Sequence, residues 1–382
     1  MPEVVIVEAV RSAIGKRNGT HSQTHAVDLL AEVLKGLVEK AGIAGTDVGQ
    51  VVGGCVTQVG RQGANVTRNA WLAAGLPLEV AATTVDAQCG SSQQATSLAY
   101  GLVASGQVDV AIGCGVETMS QFPIGASMVE GLGTPMESKL YGYQWTSQFH
   151  GSELIAQKWG ISREDLDAWG VESQKRAAEA WSEDRFAGQI VEVNGLTKDE
   201  GLRETSLEIL AGLRTVIGTD DPIVGPQGGR HTAGTASQVS DGAAAVLLMS
   251  KEKAEALGLT PLARIVDACL VGSDPVLMLT GPIPATQHLL ERNDLSIDDI
   301  DVVEINEAFA SVVLSWQKET GADLAKVNPN GGAIALGHPL GGTGAFLLTK
   351  TVHELQRSGG RYGLVTMCCG GGMGTGTLVE RI

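Results

Sequence analysis

Short apolar runs rich in valine and isoleucine alternate with longer amphipathic stretches along most of this chain. The short runs have the length and composition of buried strands. We predict strands at residues 4–10, 51–56, 108–114, 243–249, 263–271, 302–305 and 363–367. The helical spacing of apolar residues predicts helices at 26–41, 91–105, 154–158, 165–181, 283–291 and 345–357. Strand–helix alternation of this kind is typical of an α/β fold with a mostly parallel sheet.

Two pairs of segments indicate an internal duplication. The pattern of residues 3–15, EVVIVEAVRSAIG, returns at 262–274 as LARIVDACLVGSD, and that of 47–60 returns at 299–312. Such similarity also arises by chance in α/β chains, so the pattern alone leaves both explanations open. Residues from about 120 to 240 differ in composition from the segments on either side, because they are rich in Gln, Glu, Trp and Met and contain polar loops.

The chain has 382 residues, which exceeds the usual size of a single hydrophobic core. We therefore predict an N-terminal half at 1–119, completed by about 240–261, and a C-terminal half at 262–382. Residues 120–239 are predicted to form an inserted, partly helical subdomain.

Charge and hydropathy argue against several classes of protein. The net charge of −16 and the aromatic content of 4% do not fit a nucleic-acid surface, which needs basic and stacking side chains. No segment reaches the roughly 20 consecutive apolar residues of a membrane span. The N-terminus also lacks the basic start of a signal peptide. We therefore predict a soluble, cytoplasmic protein that does not associate with membranes.

The cysteines indicate free thiols rather than a scaffold of disulfides. Six cysteines, at positions 55, 89, 114, 269, 368 and 369, are too few for such a scaffold in a chain of this length. They form no Cys-x-x-Cys motif, and no histidine pair has the spacing of metal ligands, so no metal site is predicted. Reduced thiols are expected.

Cys89 is the first candidate for chemistry. The segment DAQCGSSQQA places it between a β-branched run and a helical pattern. At a helix N-terminus, free N–H groups and the helix dipole lower the pKa of a thiol and stabilise its thiolate. Cysteine is also among the most frequently buried residues, so simple packing is an equal alternative on this context alone.

Three other segments carry reactive residue types. His338 lies in the glycine-dense loop VNPNGGAIALGHPLGGTG, and Asn306 follows the strand at 302–305. Cys368 follows a strand and precedes three glycines from Gly370, whose N–H groups can face a developing oxyanion. A solvated loop histidine and a capping asparagine are the structural alternatives. Together with Cys89, the four segments favour covalent acyl transfer, in which a thiolate attacks and an imidazole helps to create it.

With these four segments, the sequence resembles the thiolase family, which comprises acetyl-CoA acetyltransferases and 3-ketoacyl-CoA thiolases. The resemblance covers essentially the whole chain, and its most specific parts are NEAFA, NGGAIALGHPLG and the closing CCGGG. It implies a duplicated, five-layered αβαβα fold with an inserted loop domain that binds coenzyme A. It also implies homodimers or homotetramers, with acyl-CoA and coenzyme A as substrates and no metal or permanently bound cofactor.

The resemblance also implies roles for individual residues. Cys89 would be the acylated nucleophile, His338 would activate it and bind a thioester oxygen, and Asn306 would support that oxyanion site through a water. Cys368 would be the acid/base at the substrate α-carbon or the leaving thiol. The N–H groups of Cys89 and Gly370 would form a second oxyanion site.

Two further residues are implied to contact coenzyme A, namely Ser237 at the pantetheine arm and Arg203 near the nucleotide. A solvated residue at a helix start is the alternative for Arg203. The nucleophile motif reads Cys-Gly-Ser-Ser, where many members have Cys-Ala/Ser-Ser-Gly. The segments DAQCGSSQQA, HTAGTAS and ASVVLSWQK are most similar to actinobacterial thiolases that shorten steroid side chains, which implies a bulky acyl group.

Three functions remain open at this stage. A degradative 3-ketoacyl-CoA thiolase is the leading hypothesis. A ketoacyl synthase would share the architecture but would have histidine or asparagine in place of Cys368. A non-catalytic acyl-CoA-binding subunit would keep the fold, but it would not need the four residues Cys89, His338, Asn306 and Cys368 intact.

Overall fold

A computed structural model of the protein describes residues 2–128, 131 and 133–382. In these residues the strands are β1 (Val4–Ser12), β2 (Gly15–Lys16), β3 (Gln50–Gly54), β4 (Ala81–Val85), β5 (Val110–Thr118), β6 (Ile190–Val191), β7 (Ser240–Ser250), β8 (Ala263–Gly272), β9 (Val302–Ile305), β10 (Tyr362–Cys369) and β11 (Met373–Arg381). The helices are α1 (Ala26–Ala41), α2 (Val66–Ala73), α3 (Ser91–Ala104), α4 (Gln148–Lys158), α5 (Arg163–Ser182), α6 (Leu207–Ala211), α7 (Lys251–Ala256), α8 (Pro282–Arg292), α9 (Ala310–Thr320), α10 (Ala333–Leu336) and α11 (Thr343–Ser358).

The predicted strands and helices are all present, and the sequence analysis missed several others. The longest of the missed strands is β11, whose Gly374 and Gly376 interrupt the apolar, β-branched pattern of a buried strand. These glycines instead let helix α8 approach the strand. A Cβ atom at Gly374 would lie 2.3 Å from the carbonyl oxygen of Gly281, and one at Gly376 would lie 2.7 Å from Leu289.

The sheet is mixed, so the prediction of a mostly parallel sheet is wrong. Strand β3 pairs in parallel with β4 and β5, and β9 pairs in parallel with β10. Strands β7 and β11 then run antiparallel to their neighbours. The physical reason is that β10 returns directly into β11 through a short glycine turn, which joins antiparallel strands only.

Strand order confirms the internal duplication. The first half has the order β1-β7-β5-β3, with β4 at the edge, and the second half has the order β8-β11-β10-β9. Strands β1 and β8 are the first in each half, and they correspond to the first pair of similar segments. Strands β3 and β9 correspond to the second pair. The two halves are joined by a short antiparallel pairing of β1 with β8 at Val5 and Ile6.

The elements form five layers. Helices α1 and α2 cover the outer face of the first half, and helices α8 and α9 cover that of the second. Helices α3 and α11 contact each other and strands of both halves, so they form the central layer. The fold is therefore the αβαβα arrangement that the resemblance implied.

Residues 120–239 lie between β5 and β7, and their described part contains α4, α5, α6 and β6. The short strand β6 pairs with β1, and α5 packs against α9 and α10. The domain boundaries themselves stay a prediction. No helix among residues 2–128, 131 and 133–382 is long and apolar enough to cross a membrane.

The two central helices begin side by side. The backbone N–H of Ala345, near the start of α11, donates to the hydroxyl of Ser92 at the start of α3, at 3.0 Å. Gly344 permits this contact, since a Cβ atom there would lie 2.3 Å from the backbone nitrogen of Gln93. The loops that precede the two helices, which carry Cys89 and His338, are thereby brought together.

Candidate active site

Cys89 lies in the turn that joins edge strand β4 to helix α3, which begins at Ser91. The hydroxyl of Ser91 accepts a hydrogen bond from the N–H of Ala87 at 3.0 Å and donates to the carbonyl of Gln88 at 2.6 Å. Gln88 has a left-handed φ of 52°. The turn therefore holds Cys89 at the N-terminal end of α3, where the sequence pattern predicted it, with 6% of its surface exposed.

The thiol of Cys89 is not acidic in this environment. Burial raises its pKa to about 12, although the N–H groups of Gly370 and of Cys89 itself favour the thiolate. The expected lowering of the pKa is wrong because the loss of hydration outweighs the N–H groups at the helix start. Cys89 is therefore a neutral thiol near pH 7, and its attack requires a base.

This environment predicts how the alkylation of Cys89 by iodoacetamide depends on pH. Only the thiolate reacts, and its fraction rises about tenfold per pH unit below the pKa. We expect the rate at Cys89, followed by peptide mapping, to rise about tenfold per unit from pH 7 to 10 without a plateau. A rate that levels off below pH 9 would instead show a preformed thiolate.

His338 is the candidate base, and it lies in the loop before the central helix α11. The histidine is buried, and its backbone N–H donates to the hydroxyl of Ser240 at 3.1 Å. Its Nδ1 lies 2.5 Å from the hydroxyl of Thr343, which donates its own hydrogen to the carbonyl of Pro339 at 2.9 Å. The hydroxyl of Thr343 therefore accepts from Nδ1–H, which leaves Nε2 as the basic nitrogen.

The protonation state of His338 agrees with this role. Burial lowers its pKa to about 3, so the imidazole is neutral near pH 7. Nε2 lies 3.3 Å from Nδ2 of Asn306, whose amide hydrogen it can accept. A neutral imidazole can take the proton of a neutral thiol as the sulfur attacks, without a preformed ion pair.

Asn306 connects His338 to Cys368. The asparagine follows β9, and its backbone N–H donates to the carbonyl of Thr366 on β10 at 3.1 Å. Its side chain stabilises the thiolate of Cys368, while burial and the nearby sulfur of Cys89 raise the pKa of Cys368. The Oδ1 atom of Asn306 is buried without a partner among the described residues, which is the arrangement expected of an acceptor that binds a water.

The glycine turn after Cys369 brings the N–H of Gly370 to the sulfur of Cys89. Gly371 and Gly372 have φ values of 79° and 74°, which only glycine adopts without strain. Cys369 faces the start of α3, because a Cβ atom at Gly90 would lie 2.6 Å from its sulfur. This contact gives a physical reason for glycine in the motif Cys-Gly-Ser-Ser and is consistent with a packing role for Cys369.

The structure thus brings Cys89, His338, Cys368, Asn306 and Gly370 together. Ser237 is half-buried beside them, since its backbone N–H donates to the carbonyl of Ala308 at 2.9 Å. Arg203 is exposed, and its guanidinium lies 3.4 Å from the carbonyl of Ala233.

Thr343 is the residue of this site that the sequence analysis missed. The only signal was its position five residues after His338 in the same glycine-dense loop. Its contact with Nδ1 depends on the fold of the loop, because the hydroxyl must turn back from the first residue of α11.

The Thr343→Val substitution is expected to lower kcat by about 10- to 100-fold with little change in KM. It leaves Nδ1–H buried without an acceptor, which costs about 1–3 kcal/mol, and it releases the orientation of the ring. Steady-state kinetics with a 3-ketoacyl-CoA, the substrate that the resemblance implies, measure this effect. Thr349→Val is the matched control, since Thr349 is a buried α11 threonine whose hydroxyl bonds the carbonyl of Ala345 at 2.8 Å. An equal loss of kcat in both variants would contradict the assignment.

The thiols of the site are free, and the described part of the chain contains no cluster of metal-ligand side chains. All six cysteines are unpaired and buried. Among residues 2–128, 131 and 133–382, no three His, Cys, Asp or Glu side chains lie together as metal ligands.

Comparison with known proteins identifies similar sequences along the full chain. Residues 4–252 match the family described as thiolase, N-terminal domain, and residues 259–381 match thiolase, C-terminal domain. The chain is 49% identical to steroid 3-ketoacyl-CoA thiolase FadA6 of Mycobacterium tuberculosis, covering 100% of this chain and 95% of that protein. It is 42% identical to 3-ketoacyl-CoA thiolase of Idiomarina loihiensis, covering 100% of both. It is 41% identical to beta-ketoadipyl-CoA thiolase of Pseudomonas aeruginosa, covering 100% of this chain and 99% of that protein.

Proposed function

The chain belongs to the thiolase family, and we propose that it cleaves its substrate through an acyl-enzyme on Cys89. Its activity is that of an acyltransferase, the thiolytic cleavage of a 3-ketoacyl-CoA by coenzyme A. The products are acetyl-CoA and a shortened acyl-CoA, and the reverse reaction is a Claisen condensation. The observation that carries the proposal is the buried cluster of Cys89, Cys368, Asn306 and His338.

In the first half-reaction, the sulfur of Cys89 attacks the 3-keto carbon of the substrate. Nε2 of His338 takes the thiol proton, because the thiol is neutral and the imidazole is fixed with Nδ1 protonated. The N–H groups of Cys89 and Gly370 are directed at the sulfur of Cys89, so they are suited to donate to an oxygen next to the new carbon–sulfur bond.

The carbon–carbon bond then breaks, and acetyl-CoA leaves as its enolate. Cys368 donates its proton to the α-carbon, since a thiol whose pKa is raised by burial is present in the acid form. His338, now protonated, donates to the enolate oxygen. Asn306 supports the same oxygen through a water that donates one hydrogen to its Oδ1 and the other to the enolate. In the second half-reaction, the thiolate of Cys368 takes the thiol proton of coenzyme A, whose sulfur attacks the acyl group on Cys89. The bond from the acyl carbon to the sulfur of Cys89 then breaks, and His338 returns its proton to that sulfur.

Coenzyme A enters from the side of residues 120–239. Ser237 is suited to contact the pantetheine arm, because its backbone is bonded to Ala308, two residues after Asn306. Arg203 is suited to contact the nucleotide phosphates, because it is exposed and its backbone N–H is held by Gln174 at 2.9 Å. No permanently bound cofactor or metal takes part in these steps.

For the acyl group we propose a bulky, steroid-derived substrate. The support is the relative from Mycobacterium tuberculosis, whose name is steroid 3-ketoacyl-CoA thiolase. The test compares kcat/KM for a steroid-derived 3-ketoacyl-CoA, for 3-ketohexadecanoyl-CoA and for acetoacetyl-CoA, with acetyl-CoA formation as the readout. We expect the first to be preferred by about tenfold or more. Preference for either of the other two would overturn the substrate while leaving the reaction in place.

We propose that the protein is a homodimer or a tetramer built from such dimers. Strand β4 is at the edge of the sheet and leaves Ala81 and Thr83 exposed, and Leu78 before it is 73% exposed. An uncovered edge presents unpaired backbone N–H and C=O groups with which another chain can pair. Size-exclusion chromatography with light scattering tests this, and Leu78→Glu is expected to shift the mass towards the monomer.

We also propose that the protein acts in the cytoplasm. The support is chemical, because the mechanism needs Cys89 and Cys368 as free thiols and both are unpaired in the structure. Cell fractionation with an antibody against the protein tests this location.

A further inference from the structure

Two buried carboxylates contact the two ends of the loop that carries His338. This histidine loop is defined here as residues 332–343. Near its start, Oε2 of Glu307 accepts a hydrogen bond from the N–H of Ile334 at 3.1 Å. Near its end, Oε2 of Glu117 accepts one from the N–H of Gly341 at 2.9 Å. Both glutamates are completely buried, and neither has a part in the proposed chemistry.

Glu117 is surrounded by donors. Besides Gly341, its oxygens accept from the N–H of Val56 at 2.9 Å, the N–H of Thr57 at 3.1 Å and the side-chain amide of Gln62 at 2.7 Å. Burial raises the pKa of Glu117. These four partners are nevertheless all donors, so a proton on the carboxyl group would face another proton. Glu117 therefore links the segment after β3 to the end of the histidine loop as an acceptor only.

Glu307 has the same arrangement at the other end. It accepts from the indole N–H of Trp169 at 3.1 Å, the hydroxyl of Ser173 at 2.7 Å and the side-chain amide of Asn328 at 2.9 Å. Trp169 and Ser173 belong to α5, which lies in the region inserted between β5 and β7. Glu307 therefore links that region to the start of the histidine loop.

The ends of the loop leave no room to shift towards these carboxylates. A Cβ atom at Gly332 would lie 2.2 Å from the carboxyl carbon of Glu307. One at Gly341 would lie 2.8 Å from Oε2 of Glu117 and 2.7 Å from Cα of Cys55. The glycines thus allow the backbone to lie against both carboxylates.

We propose that Glu117 and Glu307 are positioning residues that clamp the two ends of the histidine loop and so hold Nε2 of His338 in place for proton transfer. The inference rests on the proposed role of His338 as the base. It adds that proton transfer depends on two carboxylates that touch neither substrate nor the reacting sulfur.

The test compares Glu117→Gln and Glu307→Gln in two backgrounds, the natural chain and His338→Ala. An amide puts an N–H against donors at each site, so the loop moves while the shape of the side chain is kept. In the natural background we expect kcat for thiolysis to fall about 10- to 100-fold, with KM within about threefold. In the His338→Ala background we expect the same substitutions to change the residual rate less than about twofold, because a residue that acts through His338 has nothing left to position.

The outcomes separate this inference from the proposed function. If His338→Ala lowers kcat strongly but the glutamine variants keep it, or lower it equally in both backgrounds, the clamp is wrong and the base assignment stands. If His338→Ala keeps full activity, the base assignment is wrong and the clamp is overturned with it. Glu380→Gln is the control, because Glu380 is a buried carboxylate near the other end of β11 and is bonded to Arg264 and Arg361.

Two milder variants apply if a glutamine variant does not fold, as judged by thermal unfolding. Ser173→Ala removes one donor from Glu307, and Gln62→Ala removes one from Glu117, while both carboxylates stay in place. We expect each to lower kcat about 2- to 10-fold, again without effect in the His338→Ala background. Unchanged kcat in both would contradict the clamp.

Discussion

The Cys89→Ala substitution is expected to lower kcat for thiolysis by about 10⁴-fold or more. The reason is that the covalent route requires a sulfur at this position, where the N–H groups of Gly370 and of Cys89 itself are directed at it. The substituted protein should still bind acyl-CoA, since the N–H groups of the site remain. The measurement is acetyl-CoA formation from a 3-ketoacyl-CoA and coenzyme A at saturating concentrations.

Cys114→Ala is the control for this variant. Cys114 is equally buried, in the middle of β5, and its sulfur lies 3.6 Å from the carbonyl of Val52. Its loss should lower the thermal stability but leave kcat within about threefold. A Cys89→Ala protein that retains a tenth or more of the activity would refute the covalent mechanism.

The Cys368→Ala substitution is expected to lower kcat by about 10²- to 10⁴-fold, the range that general acid–base catalysis supplies. Without this thiol, the enolate of acetyl-CoA has no acid beside its α-carbon. We also expect the enzyme to lose the exchange of the methyl hydrogens of acetyl-CoA with deuterated water, because the same thiol removes the α-proton in reverse. Mass spectrometry of acetyl-CoA after incubation in deuterated water measures this exchange.

Cys369→Ala is the matched control on the same strand. Its sulfur faces Gly90 and the start of α3 rather than Asn306, so kcat should stay within about fivefold and the exchange should persist. If the exchange were lost in Cys369→Ala and kept in Cys368→Ala, the acid/base at the α-carbon would be Cys369 and not Cys368.

Much of the fold could be predicted from the sequence because the buried strands are β-branched and uninterrupted. The pattern at residues 4–10 and its repeat at 263–271 became the first strands of two halves with the same strand order. Strand β11 could not be predicted in this way. Its glycines serve the approach of α8, which is a contact between segments about 90 residues apart in the chain.

The site shows the same division between local and tertiary information. Four candidates could be found from the sequence because each lies next to glycines or directly after a predicted strand, namely Cys89, His338, Asn306 and Cys368. Their roles followed from the resemblance. The pKa of Cys89 did not follow, because the pattern contains the helix start but not the burial that outweighs it. Thr343 was missed for a similar reason, since its bond to His338 exists only once the loop is folded.

The most direct test of the account is intact-protein mass spectrometry after brief mixing with acetoacetyl-CoA or acetyl-CoA, followed by peptide mapping. We predict an added acetyl group on the peptide that contains Cys89, which disappears when coenzyme A is added. An acetyl group on another residue, or none with any 3-ketoacyl-CoA including a steroid-derived one, would contradict the acyl-enzyme on Cys89.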